Sequence, residues 1–267
     1  MKLLHARLAL AAIAGREIHK FLRQPGRLAS SLVRPLLWMV VFAAGFRQMP
    51  DLGSVMPFDP NLDYRLYMVP GLALMVCLFN GMQSSLAMVY DREMGVMRLL
   101  LTAPLPRTYL LACKLMGGAF LSVLQALAYM ILVVIWHIGL SPWQVITALP
   151  ALVAGALMLS AFGLMLSVYI RQLENFAGTM NFVIFPMFFL SSALYPIRRM
   201  QDAGADWIFR ISSLNPFTHA VESLRHALYG EFSGSLFIVL AATLVFYLVA
   251  AAGYDPQRGL IKSARGG

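Results

Sequence analysis

Charge is scarce in this chain. Asp, Glu, Lys and Arg together supply 12% of its 267 residues, about half the share found in an ordinary soluble domain. Apolar side chains of the AVILMFWYC set supply 60%, and the mean hydropathy is +0.72. Twelve acidic and 21 basic residues are too few to clothe a soluble domain of this length, so the missing polar surface must face lipid. Cysteine is almost absent. Cys77 and Cys113 sit in or beside apolar runs, which leaves no metal-binding spacing and no disulfide framework. No cofactor is expected.

The missing motifs exclude further functions. The four lysines are Lys2, Lys20, Lys114 and Lys262, and none follows a glycine, so the phosphate-cradling loop of many ATPases cannot form. No H-E-x-x-H occurs, and of the five histidines only His137 lies near the end of an apolar run. A membrane-embedded enzyme therefore lacks its catalytic constellation. All twelve acids lie in loops or flanks of the apolar runs. A stand-alone carrier driven by an ion gradient normally keeps a carboxylate inside its spans, so that class is disfavoured. The energy for any transport is expected from elsewhere, most naturally from a separate ATPase.

A membrane helix needs about 20 mostly apolar residues. Six runs qualify, over 30–46, 66–89, 109–136, 145–170, 176–194 and 236–253. The third and fourth are long enough to tilt or to end in turns outside the membrane. Pro35 and Pro186 are expected to kink or start their helices. With no linker or fixed repeat, residues 1–267 read as a single transmembrane domain. The fold class is an all-α membrane protein.

At the N-terminus, Leu8–Ala14 with Ala12-Ile13-Ala14 resembles a signal peptide, but His5 and Arg7 cut its apolar region short. The same stretch makes a better amphipathic helix. Arg16, Lys20, Arg23 and Arg27 recur at helical spacing, and Leu3, Leu10, Ala14, Ile18 and Phe21 fall on another face. Residues 1–28 are therefore expected to lie in the membrane interface, ending at Pro25-Gly26.

The net charge of +9 fits cytoplasmic loops and anionic lipid better than nucleic acid, which is not expected as a partner. With six spans, one side collects Lys2, Arg7, Arg16, Lys20, Arg23, Arg27, Arg34, Arg92, Arg98, Arg107, Lys114, Arg171, Arg258, Lys262 and Arg265. The other side has Arg47, Arg65, Arg198, Arg199, Arg210 and Arg225. Fifteen against six places both termini in the cytoplasm.

Two segments outside the spans are too structured for passive connectors. The cytoplasmic loop over 90–108 opens with Asp91, Arg92 and Glu93. Gly95 follows, then Arg98 and the apolar run Leu99, Leu100 and Leu101, closed by Pro104 and Pro106. A short helix with charged ends and an apolar ridge suits docking into a groove on a soluble partner. The outer segment over 195–235 contains Asn215-Pro216, a helix start. Phe217, Val221, Leu224 and Leu228 share one face, and Gly230 is a stop. This helix, which carries Arg225, is too short and too charged to span. A half-inserted, re-entrant or interfacial position before the last span is expected.

In these segments the sequence resembles the membrane subunits of ABC-2-type exporters. Asp91, Glu93, Gly95, Leu99–Leu101, Pro104 and Lys114 match the family's loop in order and spacing, and Asn215, Pro216 and Arg225 match its outer helix. Val96 stands where a Thr is common and Arg98 where an acid is frequent, which bears on the details of partner contact. The resemblance implies two membrane subunits around a path in a bacterial inner membrane, with two ATP-binding cassette subunits below. Family substrates include drugs, lipid-linked sugars and polysaccharides. Candidate path-lining groups are Asn80, Gln83 and Ser84, with Ser85, in the second run, and Thr179 and Asn181, with Ser191 and Ser192, in the fifth. Small and hydroxyl residues also serve plain helix packing.

Overall fold

A computed structural model describes residues 15, 25–45, 63–95, 106–170, 172–197, 201 and 204–254. Among them the regular structure is helical: α1 (Pro25–Gly45), α2 (Tyr64–Glu93), α3 (Arg107–Ile135), α4 (Pro142–Thr147), α5 (Leu149–Tyr169), α6 (Leu173–Phe189), α7 (Asp206–Leu214), α8 (Pro216–Leu228) and α9 (Ser235–Gly253). The expected interfacial helix over 1–28 lies almost wholly outside the described residues. So do the loop residues Arg98, Leu99, Leu100 and Pro104.

Among the described residues four helices, α2, α3, α5 and α9, are long and apolar enough to cross a membrane. The six-run reading also drew on α1, whose apolar stretch Leu32–Phe42 is shorter, and on α6, which has 17 residues. α2 is the centre of the bundle. Its most apolar window is 78% buried, against 11% for the corresponding window of α9. At 1.5 Å per residue its 30 residues extend about 45 Å, more than a hydrocarbon core of about 30 Å. α2 packs most extensively on α5, and also on α3, α1 and α6, while α9 leans on α5. The outer face of α9 carries Phe237, Leu240, Leu244 and Leu248, all exposed, as a lipid-facing helix requires.

Tight crossing of α2 and α5 follows from small residues. A Cβ added to Gly81 would come within 3.1 Å of the Leu159 carbonyl oxygen, and one added to Gly163 within 3.0 Å of the Gly81 carbonyl oxygen. Lipid tails are as apolar as leucine, so close backbone packing replaces the hydrophobic effect as the force joining membrane helices.

Several boundaries differ from the sequence reading. The fourth run is two helices. Ser141 caps α4 together with Gln144 in a reciprocal capping box, Pro142 fills the first turn, and α5 restarts beside Pro150. The fifth run stops at Phe189, so Ser191 and Ser192 belong to the following turn and not to a span. Pro25 opens α1, where its missing N–H costs nothing at a first turn. Pro35 and Pro186 fall inside α1 and α6, and Pro70 lies inside α2. Helix α7 was not anticipated.

The bundle has two distinct ends. The first gathers the start of α2, the end of α3, α4, the end of α6, α7 and α8. Trp136, Trp143 and Trp207 are exposed there, at the level where amphipathic rings favour a membrane interface. The second end carries Asp91, the start of α3 and the start of α6.

Candidate functional site

At the Asp91 end, two carboxylates anchor the exit of α2. The Asp91 side chain is buried, and its Oδ2 lies 3.1 Å from Lys114 Nζ on α3. The side chains are 6% and 15% exposed, so this pair is far less screened than a surface bridge. Glu93 Oε1 accepts a 2.8 Å hydrogen bond from the backbone N–H of Leu173, the first residue of α6. A carboxylate there satisfies an orphan donor and complements the positive end of the helix dipole. α2 is thereby tied to α3 and α6 where the 90–108 segment begins. Gly95 has φ +71, and a Cβ there would meet nothing within 4 Å. The left-handed backbone marks a tight turn at the end of α2. Tyr90, Glu93 and Met94 are exposed beside it, and Arg92 is half-buried.

The opposite end is organised by Asn215 and Arg225. Asn215 Oδ1 accepts from Phe217 N–H and caps α8, while its Nδ2 donates to the carbonyls of Met187 and Leu190, both at 2.7 Å. One amide therefore serves the last carbonyls of α6 and the first amide of α8. α8 ends in a Schellman motif: Glu231 N–H donates to the His226 carbonyl, Gly230 N–H donates to that of Ala227, and Gly230 has φ +77. The expected apolar face of Phe217, Val221, Leu224 and Leu228 is buried.

Arg225 is 3% exposed. It pairs with Glu222, donates to the Ser192 carbonyl at 2.8 Å, and lies 3.9 Å from the centroid of the Tyr67 ring. Burial is the largest single influence and opposes its charge, but the charge and hydrogen bond of Glu222, together with Tyr67 and Tyr229, outweigh it and hold the pKa above the ordinary arginine value. Tyr67 and Tyr64 donate to the carbonyls of Ser192 and Leu194. These groups lock α8 and the turn after α6 onto the start of α2.

Between the ends, the polar groups predicted to line a path divide. Asn80 is buried and its amide donates to Gln125 Oε1 on α3. Gln83 lines an open cleft with Arg34, Phe79 and Asn80. Ser84 packs where α3 comes close at Gly118 and lines a second crevice that includes Ser85, Lys114 and Ser160. On α6, Thr179 donates to the Asn175 carbonyl of its own helix, and Asn181 is exposed. Asn80, Gln83 and Ser84 thus share α2, and the α6 pair stands apart from them. Gln125 was missed, although an amide within an otherwise apolar run was a readable signal. Among the described residues no group of three or more His, Cys, Asp or Glu comes together.

Apolar helices of spanning length, polar groups inside the bundle and charged anchors at its ends define a multi-pass membrane protein. The comparisons specify which kind. The ABC-2 type transporter family model matches residues 9–229, and the chain belongs to that family. It is a membrane permease of an ABC transporter. It is 30% identical over 226 residues to the "putative transport permease ycf38" of Cyanophora paradoxa, covering 80% of this chain and 73% of that one. It is 26% identical over 261 residues to the "inner membrane transport permease YadH" of Escherichia coli K12, covering 95% of this chain and 97% of that one. It is also similar to the "probable multidrug ABC transporter permease YbhR" of E. coli K12, with 28% identity covering 61% of this chain and 43% of that one.

Proposed function

We propose that the chain is the membrane subunit of an ATP-driven exporter, in which two copies surround a path and two separate ATP-binding subunits dock against the 90–108 segment. The six spans are α1, α2, α3, α5, α6 and α9, with the N-terminal helix in the interface, α8 as the short outer helix and both termini in the cytoplasm of a bacterial inner membrane. At 1.5 Å per residue, α1 and α6 extend about 32 and 26 Å, close to the thickness of the hydrocarbon core.

The observation that carries this reading is the pair of anchors at the Asp91 end. Asp91–Lys114 and Glu93–Leu173 join α2, α3 and α6 at the mouth of the proposed docking segment. A displacement of that segment by a closing ATPase would move three helices together, and the difference in binding energy between two states of the path does the work. Asp91 and Glu93 make contacts within the chain, so they act as transmitters of the push, and direct docking falls to the exposed part of the loop and its leucine ridge. Seventeen methionines offer adaptable apolar surface, and the likeness to a permease named for multidrug transport points the same way. The cargo is amphiphilic, lipid-linked, glycan or drug-like.

The purified chain alone is expected to hydrolyse no ATP above the blank. Hydrolysis should appear on assembly with a subunit carrying the phosphate-binding loop. Turnover by the chain alone, surviving rigorous removal of contaminating ATPases, would overturn the subunit reading.

A further inference from the structure

Arg34 is a cation at the middle of the bundle. It sits nine residues into α1, with eleven more before the helix ends at Gly45. Its guanidinium carbon lies 3.8 Å from the centroid of the Phe79 ring on α2. Phe79 itself is 16 residues after Asp63 and 12 before Asp91, about 24 and 18 Å along the helix. In a bilayer with a core of about 30 Å, this contact falls near the midplane.

The ion pairs among the described residues include Lys114–Asp91 and Arg225–Glu222, and Arg34 belongs to neither. It lines instead a cleft together with Pro35, Met75, Val76, Phe79, Asn80 and Gln83. Among the described residues the polar part of that lining is one cation and two amides, with no carboxylate. Its remainder is thioether, aliphatic and aromatic. An ionised side chain at this depth is costly, and such residues mark ligand or ion routes. A guanidinium also presents a planar fork of donors suited to carboxylate and phosphate oxygens.

We propose that this cleft receives the anionic head of the transported amphiphile, a phosphate or a carboxylate, with Arg34 as its counter-ion, Gln83 beside it, and Met75, Val76 and Phe79 against its apolar part. This rests on the permease reading and adds a charge preference for the cargo.

The test uses the full-length chain in nanodiscs of zwitterionic lipid, titrated with decyl phosphate, decanoate and uncharged decyl maltoside, with bound probe counted by native mass spectrometry. At least one anionic probe should bind saturably and at least tenfold more tightly than decyl maltoside. Tighter binding of decyl phosphate would identify a phosphate head, and tighter binding of decanoate a carboxylate. Arg34→Gln should abolish the preference, and Arg34→Lys should retain part of it. Gln83→Glu, which keeps Arg34 and places a carboxylate in the same cleft, should also abolish it. Equal binding of anionic and neutral probes by the parent would overturn the proposal. So would an unchanged preference in folded Arg34→Gln or, if that variant does not fold, in Gln83→Glu. ATP-driven transport with no anion preference would sink this inference alone. An Arg34-dependent preference in a chain that never assembles with an ATPase would sink the permease reading and leave the anion site standing.

Discussion

Arg225→Ala should cause the largest loss of stability of any single substitution in this protein. The side chain removed is the partner of Glu222, the donor to the Ser192 carbonyl and the cation over Tyr67. Deleting one member of a fully buried ion pair typically costs about 3–5 kcal/mol; Glu222 is 26% exposed, so the loss here should lie at the low end of that range. Arg225→Lys should recover only part of this, since an ammonium cannot both lie flat over a ring and reach two acceptors in a fork. The double variant Arg225→Leu with Glu222→Leu should be less damaged than Arg225→Ala. The chain contains its own reporters: Cys77 and Cys113 are free and buried, so a thiol-reactive dye reads unfolding directly. An unfolding temperature of Arg225→Ala matching that of the parent would remove this cluster from the account.

The second large effect is expected at Glu93, on function more than on folding. Glu93→Arg deletes the acceptor for Leu173 N–H and places a cation at the positive end of the α6 dipole. The two terms together cost about 1–2 kcal/mol locally, which loosens the end of α6 without dismantling a bundle centred on α2. The complex should still assemble in the membrane, but ATP hydrolysis should lose most of its coupling to transport. Glu93→Gln keeps an acceptor and should lie between the variant and the parent. Lys114→Met should resemble Glu93→Arg, because it removes the Lys114 cation from the buried Asp91 carboxylate, and adding Asp91→Asn should relieve part of that defect. Co-purification with the ATPase, with hydrolysis and transport measured side by side, decides the matter. If Glu93→Arg and Gly95→Trp both assemble and transport like the parent, the loop is a plain connector.

Much of this architecture was legible because a membrane simplifies the patterns. Long apolar runs located α2, α3 and α9 to within a few residues, since no other structure satisfies a backbone in lipid. Asn215-Pro216 and Gly230 bounded α8 correctly because caps are local chemistry. The break between α4 and α5 was missed because the apolar run continues through it, and the capping box of Ser141 and Gln144 lies at its edge. The end of α6 was overrun because Ser191-Ser192-Ala193 is apolar enough to resemble span. The partners of Asp91 and Glu93, and the Ser192 carbonyl that Arg225 reaches, lie 23, 80 and 33 positions away in the sequence, so no local pattern announces them. The alternating charges of the loop singled out its carboxylates, but a single sequence cannot distinguish an acid that faces a partner from one that caps a neighbouring helix.

The central claim is that the segment after Asp91 meets an ATP-hydrolysing subunit. A photo-crosslinking side chain at Leu99, activated in native membranes and followed by mass spectrometry of the adduct, tests it most directly. The account predicts a crosslink to a soluble polypeptide carrying a phosphate-binding loop, with no such adduct when the same probe replaces Leu244 on the lipid-facing side of α9. Adducts to lipid alone at Leu99, under conditions where transport is active, would contradict it.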